Sequence, residues 1–326
     1  MNDLKKQILK LVERDLAEIE DALKQNLNPY LDLVSQIASH IIFSGGKRLR
    51  PLLFVLSTRV CNYQGNNVNK FSTIFEYIHT ASLLHDDVVD GATLRRGKAV
   101  ANSIWGGSTA VLVGDFLFAR ASSIAAEARS LAVIDILARL IEDMSQGEID
   151  QIIRKGRLGI TQEEYLEVIR RKTAVLFQGA CRIGAVVSKA TGEEEKALSD
   201  FGYNLGIAFQ MIDDLIDYTS ETQVTGKAIG ADLKEGKLTL PVIHSLKMAN
   251  PQDRAFLTDI IKKTDFSARE FEIFIDILGT YEGITYTKQM ASEYVESAKE
   301  ALAIFEPSET KKILKMIADY TLTRNA

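Results

Sequence analysis

Apolar residues recur three and four positions apart along almost the whole chain, and this property narrows the available folds more than any motif. Leu4, Ile8, Leu11, Val12, Leu16 and Ile19 form one stripe. Leu131, Ile134, Leu137, Leu140 and Ile141 form a second, and Ile313, Leu314, Ile317 and Tyr320 a third. Side chains at that spacing share one face of an α-helix, so each stripe predicts a helix that buries one side. Period-two alternation is scarce. Only 5 prolines occur in 326 residues, which leaves long helices unbroken. Breaks fall at Asn28-Pro29, Ser44-Gly45-Gly46, Gln64 to Asn67, Gly106-Gly107, Gly156 to Gly159, Thr191-Gly192 and Gly226 to Gly236. They separate segments of roughly 15 to 30 residues, long but ordinary for helices of a large domain. No linker, low-complexity stretch or repeat divides the chain, and heptads are not sustained as a coiled coil requires. The expectation is a single all-α domain over residues 1–326.

Composition excludes several classes of partner. With 46% hydrophobic and 25% charged residues, the chain can bury a large core. A formal net charge of -5 argues against nucleic acid. The two cysteines, Cys61 and Cys181, show neither a disulfide framework nor zinc spacing, which suits a reducing cytosol. The N-terminus is amphipathic with acids throughout, unlike a signal or transit peptide, and no uninterrupted apolar run reaches membrane length. Cytoplasmic residence is expected.

Against this background two clusters stand out. In LLHDDVVDGATLRRG, Leu83 to Gly97, three aspartates, Asp86, Asp87 and Asp90, sit in an apolar helix. Asp86 and Asp90 are one turn apart and repel, unless something positive lies between them. Hard oxygen ligands suit Mg²⁺, which takes a few carboxylates plus phosphate oxygens and water. The other reading is a solvated acidic face, which the apolar flanks weaken. The second cluster, Asp213, Asp214 and Asp217, repeats the spacing inside GIAFQMIDDLIDYT. Two copies point to a metal–phosphate site shared by two helices.

Basic residues concentrate near glycines. Arg95 and Arg96 follow the first cluster, and arginine is a bidentate phosphate partner. Lys47, Arg48 and Arg50 follow Gly45-Gly46 at a helix start, where backbone and dipole favour anions. Lys227 and Lys237 lie in a glycine-punctuated stretch after the second cluster. Each run alone is a surface patch; together with the carboxylates they describe a cavity for two polyanions with a hydrophobic companion.

These motifs, in this order, resemble the trans-isoprenyl diphosphate synthases, or polyprenyl synthetases. Ser44 to Pro51 is similar to the family's GGKRxRP, and His79 to Gly97 to its first aspartate-rich motif with the trailing Arg-Arg-Gly. Gly147-Glu148, Lys172-Thr173-Ala174 and Gln210 to Asp217 resemble its GE, KTA and second aspartate-rich elements. Gly226-Lys227 through Gly236-Lys237 and Leu240-Pro241 resemble GKPxGxDxxEGKxTLP. Ala228, Ala231 and Gly91 depart from the usual residues, all at loop positions. The resemblance implies an antiparallel helical bundle around a central cavity, the isoprenoid synthase fold, as a homodimer. It implies head-to-tail condensation of isopentenyl diphosphate with an allylic diphosphate, releasing pyrophosphate, with Mg²⁺ at about three ions per site. Asp86, Asp90 and Asp213 would bind metal, assisted by Asp87, Asp214 and Asp217. Arg95, Lys172, Thr173, Gln210, Lys227 and Lys237 would hold the allylic diphosphate. Lys47, Arg50, His79 and Arg96 would hold isopentenyl diphosphate. His79 is the nearest candidate base, although released pyrophosphate is the more natural proton acceptor.

The product tail would run down the helix of the first cluster. One turn before Asp86 come Ala81 and Ser82, roughly 6 to 8 Å below at the helical rise. Both are small, where short-chain relatives commonly carry an aromatic floor. Ile78, Phe75 and Ile74 lie deeper, and Phe116 and Phe118 could close the tunnel or be ordinary core. The expectation is a long-chain product in the heptaprenyl to decaprenyl range, octaprenyl first, such as a quinone side chain, which would allow loose membrane association. A geranylgeranyl-length product stays open. A class I terpene cyclase would not need the Lys47–Arg50 pocket, and a non-catalytic regulatory subunit would typically lose an aspartate cluster.

Overall fold

The computed structural model describes residues 3–95, 97–219, 230–263 and 265–324. The described residues are almost entirely helical: α1 Asp3–Leu11, α2 Glu13–Leu27, α3 Asp32–Ile42, α4 Leu49–Val60 and α5 Val68–Val89. A two-residue strand pair follows, β1 Leu94–Arg95 against β2 Lys98–Ala99. Then come α6 Ala101–Trp105, α7 Gly107–Ala126, α8 Leu131–Arg154 and α9 Gln162–Ile169. A π-helical turn, Arg170–Ala174, leads into α10 Val175–Val187 and α11 Gly192–Thr219. The remaining helices are α12 Ala231–Lys234, α13 Leu240–Met248, α14 Pro251–Lys262, α15 Ala268–Thr280, α16 Gly283–Ala301 and α17 Glu309–Thr323. The first apolar stripe spans two helices, because the backbone at Val12 leaves helical geometry at φ -113°.

The chain groups into two compact units. The first comprises Met1–Glu142, Leu176–Gly202 and Lys299–Ile317; the second comprises Asp143–Val175, Tyr203–Ala298 and Ala318–Ala326. In the first unit α5 is the central helix, packed on α7 above all and also on α4, α2 and α3. Its residues Phe71 to Ile78 are buried without exception. Phe75 stacks at a tilt on Phe54 of α4, with centroids 5.5 Å apart. The Tyr77 hydroxyl donates to the Leu23 carbonyl at 2.7 Å, so this core aromatic leaves no polar atom unmatched. Each fully buried side chain of this size contributes about 1.5–3 kcal/mol, which anchors α5 in the first unit's core.

α7 is long and apolar enough to cross a membrane by length and composition. Asp115 and Arg120 interrupt it, and the Arg120 Nε donates to the Asn26 carbonyl at 2.5 Å within the first unit.

In the second unit a core of Tyr165, Met211, Leu215, Leu240, Leu257 and Phe274 holds α9, α11, α13, α14 and α15 together. α15 starts with a capping box, Ser267 and Glu270 satisfying each other's backbone amides.

Candidate active site

Most candidate residues of the first unit lie on or beside α5. Asp86 is half-buried and Asp90 exposed, on the same helical face, while Asp87 between them is buried. With only 4% of its side chain exposed, Asp87 accepts from Arg95 Nε at 3.0 Å and Nη2 at 2.8 Å. The β1–β2 hairpin carries Arg95 back to this carboxylate. His79 and Ser82 are half-buried, and the Ser82 hydroxyl donates to the His79 carbonyl at 2.9 Å. Ala81, Ile78 and Phe75 have no accessible surface, and Phe116 on α7 is half-buried. Lys47 is exposed at the start of α4, and Arg50 lies over the Phe177 ring with Cζ 4.7 Å from its centroid.

The second unit repeats the arrangement with other partners. Asp213 is exposed, Asp214 buried, and Asp217 half-buried. Asp214 accepts from the Tyr165 hydroxyl at 2.6 Å and from Gln210 Nε2 at 2.7 Å. The Gln210 carbonyl oxygen in turn accepts from the Thr173 hydroxyl at 2.8 Å. A chain of hydrogen bonds thus links the KTA element to the second cluster. Burial pushes the Asp214 carboxyl well above its ordinary range, and nearby Asp232 adds to this, while Tyr165 and Gln210 oppose it. Asp217 caps α12, accepting from the backbone N–H groups of Ala231 at 3.3 Å and Asp232 at 3.0 Å.

Lys172 and Thr173 sit in the π-helical turn, a local strain that tends to mark functional positions. Lys172 Nζ donates to Glu148 Oε2 at 2.7 Å and Gln151 Oε1 at 2.9 Å on α8. That approach depends on Gly147. A Cβ there would meet Arg171 Cβ at 2.7 Å and the Lys172 backbone nitrogen at 2.9 Å. Lys237 pairs with Glu235. Arg96 and Lys227 lie outside the described residues.

Sequence reasoning did not find Tyr165 or Arg324. Arg324, 3% exposed in its side chain, donates from Nη2 to Asp213 Oδ1 at 3.1 Å and stacks its guanidinium 3.7 Å over the Phe209 ring. Periodicity gives no hint of either contact, since the partners are far apart along the chain. Among the described residues, no three His, Cys, Asp or Glu side chains converge into a cage for an ion.

A sequence-family description, polyprenyl synthetase, matches residues 31–278, more than half the chain. The chain belongs to the polyprenyl synthetase family. It is 37% identical over 319 residues to an octaprenyl diphosphate synthase of Haemophilus influenzae, covering 98% of this chain and 97% of that protein. It is 36% identical over 318 residues to the octaprenyl diphosphate synthase of Escherichia coli, covering 98% of each. Among solved structures it resembles a polyprenyl synthase from Caulobacter crescentus CB15 complexed with calcium and isoprenyl diphosphate. That likeness has a TM-score of 0.93 at 38% identity and covers 98% of both chains. The architecture is therefore the all-α isoprenoid synthase fold of the polyprenyl synthetases.

Proposed function

We propose that this polyprenyl synthetase extends farnesyl diphosphate with successive isopentenyl diphosphate units to octaprenyl diphosphate, using Mg²⁺ held by both aspartate clusters. As a family member the chain is a trans-prenyltransferase that builds long prenyl diphosphates. The finer reading rests on one observation above others. In each cluster the middle aspartate is sunk and held by its own unit, Asp87 by Arg95 and Asp214 by Tyr165 and Gln210. The outer residues Asp86, Asp90 and Asp213 remain accessible. Accessible carboxylates on rigid helices are hard oxygen donors. They fit an ion that keeps several waters and completes its shell with substrate phosphate oxygens. Mg²⁺, three ions in this reading, would supply charge to the departing diphosphate; a bound calcium in the Caulobacter structure supports a divalent site.

The protein's own residues do the rest. Lys172, Thr173, Gln210, Lys227, Lys237 and Arg95 orient the allylic diphosphate, while Lys47, Arg50, His79 and Arg96 orient isopentenyl diphosphate. Cationic donors aimed at the leaving oxygens stabilise charge where it develops. The allylic carbon–oxygen bond breaks and pyrophosphate leaves with the electron pair. The double bond of isopentenyl diphosphate then attacks the allylic cation, and the resulting tertiary cation loses a proton to the released pyrophosphate. Apolar walls keep water from the cation.

Octaprenyl length is supported by the names of two relatives and by the small side chains Ala81 and Ser82. One observation favours a shorter, geranylgeranyl-length product: Ile78 and Phe75 are packed with no accessible surface, so a floor could lie there. The test is chain-length analysis. Purified protein receives Mg²⁺, labelled isopentenyl diphosphate and farnesyl diphosphate, and the dephosphorylated alcohols are separated against prenyl standards. Octaprenol as the main product is expected, and a stop at geranylgeraniol would overturn the length.

A homodimer and a cytoplasmic location belong to the same proposal. The apolar side chains Ile104 and Leu112, 48% and 66% exposed, support a covered face. The free thiols of Cys61 and Cys181, with no disulfide between them, support a reducing compartment. Sedimentation and cell fractionation test these two points, and the same fractionation reads loose membrane association through the product.

A further inference from the structure

The basic run at Gly45 to Pro51 carries three cations, of which the proposed chemistry uses two. We propose that the third, Arg48, is a positioning residue that locks the Lys47–Arg50 loop onto α5, the helix of the first aspartate cluster. This rests on the reading of Lys47 and Arg50 as partners of isopentenyl diphosphate.

Arg48 differs from its neighbours in every physical respect. Lys47 is exposed and Arg50 half-buried, whereas Arg48 keeps only 5% of its surface. Its guanidinium is divided among three elements. Nε donates to Glu20 Oε1 of α2 at 2.6 Å, Nη1 to Glu76 Oε1 of α5 at 2.7 Å, and Nη2 to the Ile42 carbonyl at the end of α3 at 2.5 Å. Burial works against this charge, and Glu76 and Glu20 together outweigh it, holding the guanidinium above its ordinary value.

The backbone has accommodated the arrangement. Arg48 sits at φ 47°, in the left-handed region that residues with a Cβ rarely adopt. Two positions before it, a Cβ on Gly46 would lie 2.7 Å from Arg48 Nη1, so a larger residue there would displace the guanidinium from its partners. A residue held in a rare conformation by three surrounding partners fixes the directions of the chain on both sides of it. Those sides carry Lys47, immediately before, and Arg50, at the first turn of α4.

Stability alone is a poor explanation. Buried ion networks are often no more stabilising than apolar residues of the same volume, and the three bonds of Arg48 specify one geometry for this loop. Here that geometry couples the loop to Glu76, ten positions before Asp86 on α5, or about 15 Å along the axis. The planar fork aims donors on three separate nitrogens at three partners, whereas an ammonium radiates all its donors from one nitrogen and does not span the same positions, so lysine is no substitute.

The experiment compares Arg48→Lys, Glu76→Gln and Lys47→Ala with the parent enzyme, reading kcat and both Michaelis constants alongside circular dichroism melting. Arg48→Lys is expected to raise KM for isopentenyl diphosphate by roughly tenfold to a hundredfold, as misplaced binding groups do. KM for the allylic substrate should stay within about twofold. Glu76→Gln should raise the same constant less. If Arg48→Lys does not fold at the assay temperature, Glu76→Gln decides: a selective rise supports the proposal and no change overturns it. Lys47→Ala separates the two ideas. No change in that variant overturns the assignment of the loop to isopentenyl diphosphate. A rise in Lys47→Ala with none in folded Arg48→Lys, or an equal rise in both constants, overturns the positioning role alone.

Discussion

Within each aspartate cluster, three chemically identical side chains have different environments, and the environment decides what each can do. Asp87 is sunk against Arg95, whereas Asp86 is half-buried and Asp90 exposed. Asp86→Asn should therefore lower turnover by roughly a hundredfold or more, because it removes charge where ligand charge develops. Asp87→Asn should cost stability, about 1–2 kcal/mol, since Arg95 is part-exposed and water screens its loss. Steady-state kinetics of the first variant and urea unfolding of the second read the two effects. Tyr165→Phe should behave like Asp87→Asn. It deletes one donor to a buried carboxylate, at a cost of about 1–3 kcal/mol, and keeps the ring's packing. An unchanged unfolding free energy would mean that the hydroxyl does not hold Asp214.

At the scale of elements, α5 is both the centre of the first unit's core and the carrier of the first cluster. Its residues Ala81 and Ser82, one turn before Asp86, are small, and in the proposed reading the product tail passes beside them. Ser82→Phe should shorten the product to geranylgeranyl or farnesyl length with the metal requirement unchanged, as chromatography of the dephosphorylated alcohols would show. A full-length product from this variant would mean that the tail does not pass Ser82. α15 illustrates a different use of an element, its start held by charge. Lys263, then Ser267, lower the Glu270 carboxyl from 4.5 to about 2. A carboxylate lowered in the folded state adds stability that is present above its ordinary range and is lost as pH falls toward the folded value. Glu270→Gln should therefore flatten the loss of stability between about pH 4.5 and 2, measured as urea midpoints, relative to the parent.

For the whole molecule, the two aspartate clusters fall in different compact units, and the family match at residues 31–278 runs through segments of each. We propose that they form a single synthase domain, so heating should give one calorimetric transition. Mg²⁺ with pyrophosphate at a hundredfold excess over Kd should then raise the unfolding free energy by about 2.7 kcal/mol, and chelation should cancel the gain. Two resolved transitions, of which ligand moves only one, would place the site within a single unit.

The all-α class, the two aspartate clusters and the basic runs were legible in the sequence because each depends on neighbours a few positions away. Helical spacing is a local property, and so is the presence of carboxylates one turn apart. The π-helical turn at Lys172 was not legible, since it arises where α8 approaches over Gly147. Nor was the division of labour inside each cluster. Asp214 meets Tyr165 from 49 positions away, and Asp213 meets Arg324 from 111 positions away. The local spacing of Asp86 and Asp90 puts them one turn apart with Asp87 off their line, but does not say which of the three points inward. By itself the sequence determined the helices and the chemistry they carry. Only the tertiary structure decided which carboxylate of each cluster is buried and which arginine is an anchor, because burial and ion pairing depend on what distant segments bring to the same few ångströms.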